Sequence, residues 1–276
     1  PTFDLFEAIN LLSPMALFAH LTNVDALSTF IDDSFASKYL RVLTNIESVP
    51  YFVLYLFIKR AVKNKAQFEM VKPVLENYLK QYGIEAHLTN EDTQQSRLGF
   101  ITEKTGTDLP VLDIGCGEFA YYKRLMNKGL AHNYYAVDKD ERLQRLGENI
   151  MNRIDADNLT FYSNLSDVSR REKVNIIVSE VIEHNEPEES LQLIKEALIF
   201  DFNKLVISTP NAGFNKFYFD EGFRHDDHHF EFTSNEFREF IEKCINGRKD
   251  VQVEYAQVGD ELNNIRPTQI AVIEKI

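Results

Sequence analysis

The sequence predicts an α/β protein, a mainly parallel and doubly wound sheet over its last two-thirds with a helical segment before it. Three observations predict this. Short apolar runs alternate with amphipathic helical stretches from Leu109 onward. The first run ends in a glycine turn, Gly115-Cys116-Gly117. The next, about twenty residues later as in dinucleotide-type folds, ends in an acid, Asp138.

Residues 1–95 read as a helical domain of unassigned role. Phe3 to Phe18 and Val49 to Tyr82 carry apolar residues at helical spacing. Ser48-Val49-Pro50 and Lys72-Pro73 supply helix starts, and Gly83 a stop. Residues 96–276 form the second domain. Thr102 to Asp108 is polar and reads as a turn-like junction. Pro110–Ile114, Asn133–Val137, Leu159–Tyr162, Val174–Ser179 and Lys204–Ser208 then read as strands. Phe119–Lys128, Glu141–Ile154 and Pro187–Ile199 read as the helices between them. Ligands of such sheets sit at the carboxyl ends of the strands. That rule lines Asp113, Gly115, Asp138, Asn164, Glu180 and Thr209 along one edge.

Composition narrows the classes. Hydrophobic residues make up 44% and charged residues 26%, which suits an ordinary globular chain. The net charge of −13 argues against holding nucleic acid by bulk electrostatics, and −11 of it falls in residues 101–276. Cys116 and Cys244 form no metal-type pair, so a reducing cytoplasm is expected. The most apolar stretch, Tyr51 to Ile58, is too short for a bilayer and reads as a buried helix.

In Val111-Leu-Asp-Ile-Gly-Cys-Gly117 a strand must turn sharply into a helix while its backbone meets a ligand. Asp138 can accept two hydrogen bonds from a ribose diol. The turn lacks the Lys and Ser/Thr of a phosphate-binding loop. Asp113 precedes the first glycine, an arrangement that resembles motif I of the class I, Rossmann-like methyltransferases. That resemblance implies S-adenosylmethionine, held by Asp113, Gly115, Gly117, Asp138, Asn164 and Glu180. It also marks Phe119-Ala120, where a small residue is usual, as a change that reshapes the cofactor pocket.

Ser179-Glu180-Val-Ile-Glu183-His184 follows at a strand end. Positions i, i+3 and i+4 share a helical face, so Glu180, Glu183 and His184 project together. Carboxylates with an imidazole suit Mg²⁺ or Mn²⁺. Arg224-His-Asp-Asp-His-His-Phe-Glu-Phe-Thr233 holds His225, His228 and His229, three of the seven histidines. Asp226 and Asp227 could orient them.

With Thr209-Pro-Asn-Ala-Gly-Phe-Asn215 and Pro267-Thr-Gln269-Ile-Ala-Val272, these elements resemble the small-RNA 3'-terminal ribose 2'-O-methyltransferase family over about residues 108–275. The resemblance implies Glu180, Glu183, His184 and His228 around one divalent ion, with His225 and His229 as rivals for the last place. It implies an RNA 3' end with free 2' and 3' hydroxyls as substrate, a histidine such as His225 as the base, and an RNA end-healing and ligase partner. Two other readings stay open: a small-molecule O- or N-methyltransferase, for which a closed apolar pocket would speak, and a non-catalytic module of the same fold. Arg170, Arg171, Lys173 or Arg224 near an open cleft would speak for RNA.

Overall fold

The structure, a computed structural model, describes residues 65–218 and 222–276. The helices read at Phe3 to Phe18 and Tyr51 to Ile58, and the start at Ser48-Val49-Pro50, lie outside those residues. The chain divides into two units. The first comprises residues up to Asn90 with Phe214–Gly222 and Leu262–Asn264, the second the remainder.

In the first unit, helix α1 spans Lys65–Gln81 and carries Pro73 in its interior. The expectation that Lys72-Pro73 starts a helix is thus corrected. Proline costs one intrahelical hydrogen bond, and the helix forms around that loss because Phe68, Leu75 and Leu79 are buried along one side. Gly83 ends it at φ +73°, with the Ile84 N–H returning to the Leu79 carbonyl at 3.1 Å.

The second unit opens with α2, Thr93–Thr105. The Asp92 side chain caps it by accepting from the Gln95 N–H at 2.8 Å, and Gly106 ends it. Thr102 to Thr105 is therefore helix and not the junction that its polarity suggests. Thr102 hides its hydroxyl by donating it to the Leu98 carbonyl one turn back, which lets a polar residue be fully buried.

Seven strands follow: β1 Val111–Ile114, β2 Tyr134–Val137, β3 Leu159–Tyr162, β4 Val174–Ser179, β5 Phe202–Pro210, β6 Val251–Val258 and β7 Thr268–Lys275. They pair in the order β3-β2-β1-β4-β5-β7-β6. The first five are parallel and β7 runs antiparallel between β5 and β6. Helices α3 (Ala120–Asn127), α4 (Arg142–Ile154), α5 (Pro187–Ala197) and α6 (Ser234–Ile245) connect them.

β1 is buried throughout and β4 in all but its last residue because both faces are covered, and apart from Asp113, Asn175 and Ser179 their residues are apolar. Leu112, Ile114, Ile176 and Val178 join a core with Ile194 of α5 and Phe237, Phe240 and Ile241 of α6. Val111 and Ile177 join the opposite core with Ile101, Tyr122, Leu125 and Ile150. Phe119 is fully buried in this second core, its ring against Gly147, so it does not reshape the cofactor pocket as expected. Strand order reverses between β1 and β4, the position at which sheets of this kind open a crevice. α6 and β6 are additions to the predicted elements.

Candidate active site

At that reversal lies a cavity of about 950 Å³. Gly115, Gly117, Asp138, Asn164 and Glu180 line it, with Lys139, Val181, His184 and the acids of α5 opposite. Asp113 does not. It is buried beneath the glycine turn, where it accepts a hydrogen bond from the Tyr134 hydroxyl. Burial pushes its carboxyl up to about 7.

The glycines are explained by what a side chain would meet. At Gly115, φ +75°, a Cβ would stand 2.4 Å from Val181 Cγ2. Gly117, at φ +48°, faces open space, with nothing within 4 Å of that position. Its N–H donates to Asp138 Oδ2 at 3.1 Å, and the Asp140 N–H donates to Oδ1 at 3.0 Å. Two backbone donors therefore fix the Asp138 carboxylate toward the cavity before any diol arrives.

Among the described lysines and arginines, only Lys139 lines this cavity, with His184, against Asp138, Glu180, Glu188, Glu189 and Glu196. Arg170, Arg171, Lys173 and Arg224 are not on its wall. The five acids share the wall with apolar Ile114, Val137, Leu165, Val181 and Leu193, so the lining is mixed, and it is open to solvent where the small-molecule reading looked for a closed apolar pocket.

Beside the cavity, β4 ends in a short turn of 3₁₀-helix, Ile182–His184. Glu180 stands before it at φ +55°, a strained conformation for a residue with a side chain. Its carboxylate is held on both sides: Arg97 of α2 pairs with Oε2 at 2.6 Å, and the Ser208 hydroxyl donates to Oε1 at 3.0 Å. Ser208 continues through Ser179 to Tyr121 at 2.8 and 2.7 Å.

Glu183, His184 and His228 come together, with ligand-type atoms all within 4.8 Å of one another. Glu180, expected with them, is not in this group. Glu183 is fully buried. Thr209 at the end of β5 donates its hydroxyl to Oε2 at 3.0 Å, while Oε1 has no hydrogen-bond partner among the described residues. Burial, reinforced by the Glu180 charge, pushes the Glu183 carboxyl well above the carboxylate range despite the Thr209 bond.

Each histidine of the group has one nitrogen engaged from behind. His228 Nδ1 lies 2.6 Å from Glu231 Oε1, a buried pair, and Glu231 also accepts from the Arg224 N–H. His184 Nδ1 lies 3.3 Å from Asp227. The Nε2 atoms are thereby left for a ligand, the usual arrangement behind metal-binding histidines. A buried carboxylate oxygen without a partner, facing two such imidazoles, fits a divalent cation. His229 points elsewhere, to Glu186 at 2.8 Å, while its N–H anchors the loop to the Glu183 carbonyl at 2.8 Å. The His225 ring stands 5.1 Å from that of His228, centre to centre.

Arg97, Glu231 and Thr209 are the site residues that sequence reasoning passed over as participants. The last two lie inside quoted motifs. Arg97 carries no local signal, since only the fold brings α2 to the end of β4.

The strand order, the glycine turn and the acid after β2 define a methyltransferase-like α/β fold. Comparisons agree. The model of the Hen1 N-terminal domain matches residues 2–80. A chain in the structure of the Pnkp1/Rnl/Hen1 RNA repair complex is 46% identical, with a TM-score of 0.79; the match covers 99% of this chain and 62% of that one. This chain therefore spans under two-thirds of that relative's length. The small RNA methyltransferase HEN1 matches at 23% identity and TM-score 0.58, over 69% of this chain and 26% of that one. The methyltransferase domain of bacterial CtHen1-C matches at 24% and 0.55, over 67% and 99%. These two show the fold alone. A search of curated proteins returns no match. The chain thus resembles the Hen1 family from its first residues to its last strand, and the resemblance drawn from the motifs holds.

Proposed function

We propose that the chain transfers a methyl group from S-adenosylmethionine to the 2'-hydroxyl at the 3' end of RNA, in a reaction that needs Mn²⁺ or Mg²⁺. One observation carries this reading: the convergence of Glu183, His184 and His228 beside the cofactor-sized cavity, with Glu183 Oε1 buried and unpartnered. When bound, the cofactor supplies an electrophilic methyl and the cation lowers the pKa of a ribose hydroxyl. The residues do the rest. Glu183, His184 and His228 would hold the cation, with Glu180 at its border. Asp138 takes the cofactor ribose, and Gly115 and Gly117 let the backbone approach it. Asp113 supports the turn from below. His225 accepts the 2'-hydroxyl proton. A terminal diol read by a cation needs little basic surface, which reconciles an RNA substrate with a net charge of −13.

The related chain sits in an RNA repair complex. We extend this to a partner here that heals and seals RNA ends and supplies RNA affinity. Among the described residues no helix is long and apolar enough to cross a membrane, and both cysteines are buried and unbridged, which suits the cytoplasm.

The test is transfer of labelled methyl to a short RNA, with Mn²⁺, Mg²⁺ or EDTA. The same RNA ending in 2'-deoxyribose or a 3'-phosphate serves as control. Cation-dependent labelling lost in both controls is expected. Equal labelling of all three RNAs would refute recognition of the diol.

A further inference from the structure

A second cavity lies on the same sheet edge, between the first turns of α6 and the strands β6 and β7. It measures about 120 Å³ and is lined by Ser234, Phe237, Arg238, Tyr255, Gln257 and Gln269, with the backbone around them. Three features mark it as built to hold something.

Gln269 is almost wholly buried. Its Nε2 donates to the carbonyls of Pro210 and Phe232 at 3.1 and 2.8 Å, so the amide cannot turn without losing both. Its Oε1 is fixed as an acceptor and has no partner among the described residues. A buried acceptor left unpaired is costly, which calls for a donor from outside the chain. Ser234 Oγ accepts from Gln257 and Asn211 at 3.0 and 3.2 Å, which leaves its own hydrogen to donate.

Arg238 is exposed, and its guanidinium carbon lies over the Tyr255 ring, 4.1 Å from its centre. In a chain with 43 acids, it makes no ion pair among the described residues. A guanidinium already stacked on one face offers its other face to a second planar group.

The register fixes where this cavity stands. Thr209, which holds Glu183, pairs with Gln269, and Gln269 pairs with Gln257. Directly opposed residues share a face, and strands lie about 4.8 Å apart. The cavity is therefore roughly 5–10 Å along the sheet edge from Thr209, the residue that holds Glu183, and on the same face.

We propose that this cavity seats a nucleobase of the RNA within two nucleotides of the terminal ribose, stacked on Arg238 with an N–H edge toward Gln269 Oε1. The proposal rests on the RNA 3'-end reading above. The base provides a donor for Gln269 Oε1, an acceptor for the Ser234 hydroxyl and a flat face for Arg238. It also gives RNA a hold that does not depend on clustered positive charge.

The test is fluorescence anisotropy of a 5'-labelled ribo-oligonucleotide with the whole chain in Mn²⁺, using RNAs abasic at the second or third nucleotide from the 3' end. One of these lesions should weaken binding about tenfold, the scale of one stacked base. Arg238→Ala should weaken intact RNA by a similar factor and no longer sense the lesion, and Arg238→Lys should not restore binding. Arg238 is exposed, so both variants should fold, which circular dichroism checks. Wild-type affinity in Arg238→Ala, a retained response to the lesion, or full rescue by lysine would overturn the proposal. So would absence of RNA binding by the wild type. Arg238-dependent binding without methyl transfer would instead overturn the assigned activity and leave the base site standing. Methyl transfer to the diol with no dependence on Arg238 would do the reverse.

Discussion

Gly115→Ala tests how tightly the cofactor turn is packed against the catalytic strand end. Two costs can be separated. The residue sits at φ +75°, which costs an L-residue about 1–2 kcal/mol. A Cβ there would also stand 2.4 Å from Val181 Cγ2, well inside contact distance, and overpacking of this kind costs about 1–3 kcal/mol. The variant should therefore lose roughly 2–5 kcal/mol. Val181→Ala removes both methyls and leaves Cβ at 3.5 Å, an ordinary contact. In the double variant the packing cost should vanish and the backbone cost remain. The assay is urea unfolding of the wild type, both single variants and the double, analysed as a double-mutant cycle. A coupling energy of about 1–3 kcal/mol is expected from the relieved overlap. Additive costs, or a Gly115→Ala protein as stable as the wild type, would refute the claimed proximity of the glycine turn and the end of β4.

Three further outcomes follow from the same geometry. Asp113 is raised to about 7 against an ordinary 3.8, so its contribution is fully present below pH 4 and is lost as pH rises through 7. Unfolding free energies from urea titrations should fall over that window by up to about 4 kcal/mol in the wild type and much less in Asp113→Asn; parallel curves would sink the assignment. Glu183→Gln should leave stability in EDTA unchanged or higher, because burial disfavours the charged form of the carboxyl, yet weaken Mn²⁺ binding by more than about tenfold in calorimetry; equal Mn²⁺ affinity would exclude it as a ligand. Glu231→Gln should lower Mn²⁺ affinity about 10- to 100-fold through the loosened His228 ring, and an unchanged affinity would remove it from the support of that ring.

Much of this was legible because parallel strands covered on both faces write themselves as short, largely apolar runs. Val111–Ile114 and Val174–Ser179 are examples, and their glycine and acidic ends mark the cavity. Glu183 and His184 were legible as a carboxylate and an imidazole side by side at a strand end, and His228 only through the motif around it. Glu180 was misplaced because the spacing argument assumed a regular turn. Its positive φ instead swings the side chain to Arg97 and Ser208. α6 and β6 had readable signals, Phe237, Phe240, Ile241 and Cys244 at helical spacing and Val251, Val253 and Tyr255 in alternation. The helix at Thr102–Thr105 was hidden by polar residues, of which Thr102 turns its hydroxyl back to the Leu98 carbonyl within the helix. The orphaned Gln269 oxygen had no sequence signal at all, since it arises from where two remote carbonyls fall.

His228 and the Glu183–His184 turn belong to stretches of chain far apart in sequence, and the intervening segment leaves and returns between them. An ion gripped by both would act as a removable staple across that loop, taking freedom from the unfolded chain as a covalent crosslink does. Chelation would then do more than silence chemistry. It would unbutton the histidine loop, exposing the backbone near Arg224 to proteases, and refilling the centre would sew it shut.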